Sequence, residues 1–335
     1  MESSEIVNVT RLIPGILLPW LHQTERQVLD EIARNQAGGS FVRLSDGMTH
    51  YEDSGAPDDP PVILVHGYSV PYYMWDRVVT PLNRGGFRVI RYDLYGRGFS
   101  DRPKLRYDRA LFLRQLRELL AELSLKPPVH LVGTSMGGAI VAAFAADFPE
   151  LVAKIVLLDP LWEPLPIGPL AIPGIGECVA AGFYVPATPK KQYQDFYRPE
   201  LFFPEWELKF REQMRYKGFS HALLSTARHF LSRDPKADFQ KMASHHQRVL
   251  QIWGSEDRTL RKEGAHKLQA LLGSELSWIE AAGHLPHYEK PEIVNQALLR
   301  FLTDSDPIGK ARHRSLSSRS NFFSSNVRKG KHLSP

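Results

Sequence analysis

Pro128-Val129-His130-Leu131-Val132-Gly133-Thr134-Ser135-Met136-Gly137-Gly138 reads as the end of a strand, a sharp turn and the start of a helix. Residues 128–132 are an apolar, β-branched run, and residues 139–148 carry a helical pattern. Serine at the apex of such a turn is the G-x-S-x-G arrangement, in which a strand-to-helix connection lifts a nucleophile clear of a sheet. The small residues have a physical task there. Gly133 and Gly137 let the two backbones approach closely, and Ser135 is held in a strained conformation. The turn exposes the Ser135 hydroxyl to a base. It also aims the Met136 N–H, at the head of the helix, toward a developing oxyanion.

Outward from this turn the chain alternates strand and helix. Residues 41–44 and 48–52 read as a hairpin around Asp46-Gly47. Residues 61–65 are continuously apolar, as in a strand buried on both faces. Further strands are expected at 87–92, 129–132, 153–158, 248–253 and 276–279, with helices near 110–123, 263–272 and 292–301. This rhythm predicts an α/β fold with a mostly parallel sheet flanked by helices. Residues 160–240 break it with a Pro- and Gly-rich stretch and then helical segments near 190–197, 205–216 and 220–232. They read as a helical cap inserted between core segments 39–159 and 241–303.

Bulk properties exclude several classes. With 335 residues, 43% hydrophobic and 24% charged, the composition is that of an ordinary globular protein. The net charge of +5 sits entirely in residues 304–335, which hold seven Lys/Arg against Asp304 and Asp306. Residues 1–303 are formally neutral, so nucleic acid is not an expected partner. The tail, with eight serines and no periodicity, is expected to be disordered. Cys178 is the single cysteine, which points to a reducing, cytoplasmic setting. Glu2 and Glu5 make a poor secretory leader, and the apolar stretch 12–21 is short and broken by Pro14 and Pro19. The extension 1–38, with a helical pattern over 24–33, reads either as a segment packing on the body or as an amphipathic element making peripheral lipid contact.

Serine needs a base, and the base needs an orienting acid. His284, in Ala281-Ala282-Gly283-His284-Leu285-Pro286-His287, follows the last strand and is favoured over His287. Asp257, in the loop after the preceding strand, is the expected acid; Glu256 beside it and Asp159 after the elbow helix's strand are alternatives. The order Ser135, Asp257, His284 matches this architecture. The second oxyanion donor is expected from His66-Gly67-Tyr68-Ser69, as the Tyr68 N–H, with His66 making structural hydrogen bonds. Asp93-Leu94-Tyr95-Gly96-Arg97-Gly98-Phe99-Ser100-Asp101 reads as a turn bordering the site. The chain has no C-x-x-C, H-E-x-x-H or Walker A pattern, so neither a metal nor another cofactor is expected.

Together these motifs, spread over residues 40–303, resemble the α/β-hydrolase superfamily. The resemblance implies an eight-stranded sheet, a cap and a Ser–His–Asp triad. Epoxide hydrolases and haloalkane dehalogenases carry an aspartate where Ser135 stands. The Ser135-Met136-Gly137-Gly138 run is similar to the meta-cleavage-product C–C hydrolases, which usually have Asn before the serine and Trp after the histidine; here these are Thr134 and Leu285. Monoacylglycerol lipases share the run but differ in the oxyanion loop, and cofactor-free haloperoxidases share parts of the elbow and the triad. Some members keep the triad yet act as ligand receptors. The expected activity is a serine carboxylic-ester hydrolase. Apolar cap residues Leu165, Ile167, Leu170, Ile172 and Ile175 suggest a moderately hydrophobic acyl or alcohol group.

Overall fold

A computed structural model describes residues 25–304. The chain divides into two units, Met1–Leu299 and Arg300–Pro335; of the second, residues 300–304 are described. The apolar stretch 12–21 and the tail from residue 305 lie outside the described residues.

The first unit is built on one sheet of eight strands: β1 (Ser40–Leu44), β2 (Gly47–Ser54), β3 (Pro61–Val65), β4 (Arg88–Tyr92), β5 (Val129–Thr134), β6 (Val152–Leu158), β7 (Arg248–Gly254) and β8 (Glu275–Ile279). Their order is β1-β2-β4-β3-β5-β6-β7-β8. β2 runs antiparallel to β1 and β4, and every other neighbouring pair is parallel. This is the mostly parallel, helix-flanked sheet that the alternating pattern predicts. Val62, Ile63, Leu64 and Val65 are fully buried, which explains why β3 shows no polar alternation. The first hairpin turns one residue earlier than expected, at Ser45-Asp46, with Gly47 already paired to Leu44. A Cβ on Gly47 would lie 2.8 Å from that of Asp101, so this glycine makes room for the Asp93–Asp101 turn.

From β3 the chain goes to β4 on one side, then crosses back to β5 on the other. Such a reversal leaves a crevice at the carboxyl ends of the two strands, where ligands of open α/β sheets bind. β3 ends at Val65, just before His66-Gly67-Tyr68, and β5 ends at Thr134, just before Ser135. The helix Met136–Asp147 that follows is buried from Met136 to Ala146, and accordingly apolar on all sides.

Between β6 and β7 lie the helices Ile175–Val179, Val185–Lys191, Glu205–Gln213, Phe219–Thr226 and Lys236–Ala243. Ile175–Val179 falls in the stretch read as Pro- and Gly-rich; its Glu177 side chain accepts from Gly174 N at 2.7 Å and closes its first turn. Val185–Lys191 begins before the expected helical segment. Pro186 sits in its first turn, where a proline lacks an amide that would be unpaired anyway, and Pro189 lies inside the helix. Lys236–Ala243 packs on the elbow helix and on Glu263–Leu272, so the expected cap boundary at residue 240 falls within it.

The helix expected over 24–33 starts only at Glu31 and runs to Ala37, capped by Asp30. The preceding backbone is engaged elsewhere. Gln27 N donates to Arg215 O and Lys217 N to Gln27 O, both at 2.9 Å. The buried Glu25 carboxylate accepts from the amides of Gly218 (2.8 Å) and Ser220 (2.7 Å) and from the Ser220 hydroxyl. Glu25 and Gln27 therefore tie this stretch to the inserted segment.

The elbow has little slack. A Cβ on Gly133 would lie 2.4 Å from Gly137 O, and one on Gly137 would lie 2.2 Å from Val65 O. Gly137→Ala is expected to lower stability by about 2 kcal/mol or more, within the range of overpacked cores. An unchanged urea-unfolding midpoint would contradict that close approach.

Candidate active site

Ser135 stands between β5 and the elbow helix at φ +53° and ψ −122°, a conformation L-residues rarely adopt. Backbone hydrogen bonds hold it there. Its N–H donates to Leu158 O (2.9 Å), and its carbonyl accepts from Gly138 N (3.0 Å) and Leu161 N (2.9 Å). The turn is thus pinned to the end of β6, and the strain is stored where the hydroxyl is presented.

His284 reaches the same place from β8. Gly254 and Gly283 let this loop pass close to β7, since a Cβ on Gly254 would lie 1.9 Å from Gly283 O. The His284 amide donates to Asp195 O at 2.7 Å, and Nδ1 donates to Asp257 Oδ2 at 2.8 Å. With Nδ1 carrying the proton, Nε2 is the basic nitrogen. Burial pushes the ring toward neutrality, but the Asp257 carboxylate and its hydrogen bond, aided by Asp195, outweigh this and raise the His284 pKa. Asp257 Oδ1 accepts from Thr259 N (2.7 Å) and Leu260 N (3.1 Å). Burial works against its charge, yet His284 and these bonds hold its carboxyl below the usual range.

The alternatives weighed from sequence are placed differently. His287 is buried against Trp75, with ring centroids 4.5 Å apart, and burial lowers its pKa to about 3. Glu256 hydrogen-bonds Ser255 Oγ at 3.5 Å and Ala282 O through its amide at 2.9 Å, not His284. Asp159 does join the group: its carboxyl, the Asp257 carboxyl and the His284 ring bring polar atoms within 4.8 Å of one another.

The loop after β3 faces Ser135. A Cβ on Gly67 would come within 3.4 Å of Ser135 Cβ and 3.9 Å of its Oγ, so glycine keeps that space open. Neither the Tyr68 nor the Met136 amide N–H is bonded to an acceptor among the described residues. His66 Nε2 accepts from Leu94 N at 2.9 Å, which leaves Nδ1 to donate to Gly67 O at 2.8 Å. Burial lowers the His66 pKa to about 4, so it is a neutral clamp on the loop. Arg97, fully buried, clamps the other side: Nε donates to Tyr68 O at 2.7 Å and Nη2 to Thr226 Oγ1 at 2.9 Å.

Ser135, Met136, Tyr68 and His284 line one cavity of about 360 Å³, within the size range of small-molecule sites. Val70, Met74, Leu161, Leu165, Leu231, Leu260 and Leu285 give it an apolar wall, and Lys191, Asp195 and Arg258 add charge. Of the five apolar cap residues noted in the sequence, only Leu165 lines it. Leu170 is buried, and Ile172 and Ile175 are about half exposed. Tyr184 and Leu231 close turns of π-helix, Ala180–Tyr184 and Ala227–Leu231, a deviation frequent at functional sites. Arg97, Tyr184 and Asp195 escaped sequence reasoning because their partners lie far along the chain.

A hydroxyl on a strained turn, an imidazole oriented by a buried carboxylate and two unbonded amides form a set able to attack a carbonyl and hold the resulting oxyanion. Comparisons with known proteins agree in architecture. AB hydrolase superfamily protein YfhM of Bacillus subtilis is 27% identical over 290 residues, covering 78% of this chain and 96% of that protein. 2-Hydroxy-6-oxononadienedioate/2-hydroxy-6-oxononatrienedioate hydrolase 1 of Pseudomonas putida is 29% identical over 283 residues, covering 78% and 96%. The crystal structure of bromoperoxidase from Bacillus anthracis superposes with a TM-score of 0.68 at 26% identity, covering 80% of this chain and 100% of that one. Among the described residues no helix is long and apolar enough to cross a membrane. The family model described as the alpha/beta hydrolase family matches residues 62–297, and the chain belongs to that family.

Proposed function

We propose that this hydrolase cleaves carboxylic esters through an acyl-enzyme on Ser135. The observation that carries the reading is the shared cavity: Ser135, the Asp257-bonded His284 and the amides of Tyr68 and Met136 all border it. Ser135 Oγ attacks the ester carbonyl and passes its proton to His284 Nε2. The Tyr68 and Met136 N–H groups hold the oxyanion, and Asp257 keeps the imidazole in its tautomer and stabilises its cation. His284 then gives the proton to the leaving alcohol. Water, deprotonated by the same ring, releases the acid. The apolar wall supports a moderately hydrophobic acyl or alcohol group, and the single Cys178 fits a reducing, cytoplasmic compartment.

A second reading is C–C bond hydrolysis of a vinylogous diketone by the same residues. The printed name of the Pseudomonas putida relative favours it. Leu285, where the C–C hydrolases usually carry Trp, lines the cavity and favours the ester reading.

Hydrolysis of p-nitrophenyl esters from acetyl to palmitoyl is expected to be Ser135-dependent, with Ser135→Ala reducing kcat by about 10⁴-fold or more. No Ser135-dependent turnover of any ester, with turnover of a meta-cleavage diketone, would replace this reading by the second. The pH profile supplies another check. His284 must be neutral to act as a base, so kcat/KM is expected to fall with decreasing pH through an inflection above the ordinary histidine value of 6.5. An inflection at or below 6.5 would mean that Asp257 does not support the ring as an anion.

A further inference from the structure

Asp159 is the buried acid for which the mechanism above has no use. It follows the last residue of β6, fully buried, at φ +39°, a left-handed conformation that costs a non-glycine residue about 1 kcal/mol or more. Its amide donates to Ile252 O (3.0 Å) and its Oδ1 accepts from Gly254 N (3.0 Å), which fixes the carboxyl against the end of β7. Its Oδ2 is buried and receives no hydrogen bond from any described donor. The neighbour it does have is the Asp257 carboxyl, close enough to share a hydrogen bond.

Two carboxylates cannot both stay ionised at that separation in a dry site. Asp257 has the stronger claim on the negative charge, because it accepts from His284 Nδ1 and from two backbone amides, whereas Asp159 accepts from one. An ionised Asp159 would also leave Oδ2 as an unsatisfied buried acceptor. A proton on the Asp159 carboxyl turns two neighbouring acceptors into a donor and an acceptor. The charged and titratable groups facing the pair are His284 from the loop after β8 and Asp195 from the cap, whose carboxylate accepts from Thr259 Oγ1 at 2.6 Å. Burial and the charge of Asp257 act on Asp159 in the same direction, raising its pKa well above the carboxylate range.

We propose that Asp159 is a neutral carboxylic acid that donates a hydrogen bond to Asp257, a fourth member of the chain Ser135–His284–Asp257 acting as a positioning residue. It fixes the Asp257 carboxylate, which the imidazole also binds. By drawing on the Asp257 charge it also restrains the basicity of His284, while its proton stays in place throughout the reaction. The inference rests on the Ser135–His284–Asp257 reading, but its test does not need a substrate.

The test is an NMR titration of the His284 ring in histidine-labelled wild type and Asp159→Asn. Asparagine keeps the shape and a donor, so the midpoint is expected to move by less than about 0.3 units. If Asp159 were an anion, removing its charge would lower the midpoint by about one unit or more; that result would overturn the proposal. Asp159→Ala, which deletes the donor, is expected to raise the midpoint by about half a unit, and an unchanged midpoint in a folded Ala variant would count against a hydrogen bond to Asp257. Should the Ala variant fail to fold, the infrared difference spectrum between wild type and Asp159→Asn decides: a protonated-carboxyl band present only in wild type at neutral pH supports the proposal, and its absence refutes it. Loss of ester hydrolysis as a function would leave these readouts untouched.

Discussion

The space left empty at Gly137 is the constraint on which the site depends. With a methyl group there, the elbow helix could not lie against the carbonyls of Val65 and His66. That contact joins the two strands flanking the sheet's reversal, β3 and β5, and brings the loop after β3 alongside Ser135. It makes a left-handed serine tenable, because backbone bonds to residues that include Leu158, Gly138 and Leu161 hold it in place. The head of the helix, the Tyr68 amide and the hydroxyl then share one cavity as a result of backbone packing.

A second constraint is electrostatic. The ends of β6, β7 and β8 deliver Asp159, Asp257 and His284 to a place that excludes water. There burial alone would neutralise all three, and mutual pairing decides which group keeps its charge. Asp257 keeps it because it has three donors. The inserted segment takes part as well: Asp195 binds the His284 amide through its carbonyl, and Glu289 accepts from Gly283 N (2.7 Å) and Tyr197 N (2.9 Å), tying the histidine loop to that segment. Arg97 and Gln213 do the same for the loop after β3, through Tyr68 O and Ser69 O.

Much of this was legible in the sequence, for reasons of locality. Strands buried on both faces are short apolar runs, so β3, β6 and β7 appear in the chain with nearly their observed bounds. Ser135, Asp257 and His284 were legible because each lies in the turn or loop that follows a strand, and parallel strands send those ends to one edge. The inserted helices were read less well. The helix Val185–Lys191 begins ahead of the expected segment, and the first hairpin turns one residue earlier than expected. Asp195 and Arg97 bond residues distant in the chain, as in the Asp195–Thr259 and Arg97–Thr226 bonds, and no local pattern shows those partners.

The reading turns on whether Ser135 is a nucleophile activated by His284. Incubation with a fluorophosphonate, followed by tandem mass spectrometry, tests this without knowledge of the substrate. The expected result is a single covalent adduct on Ser135 that forms far more slowly in His284→Ala. An adduct on another residue, no adduct, or equal labelling of the His284 variant would contradict it.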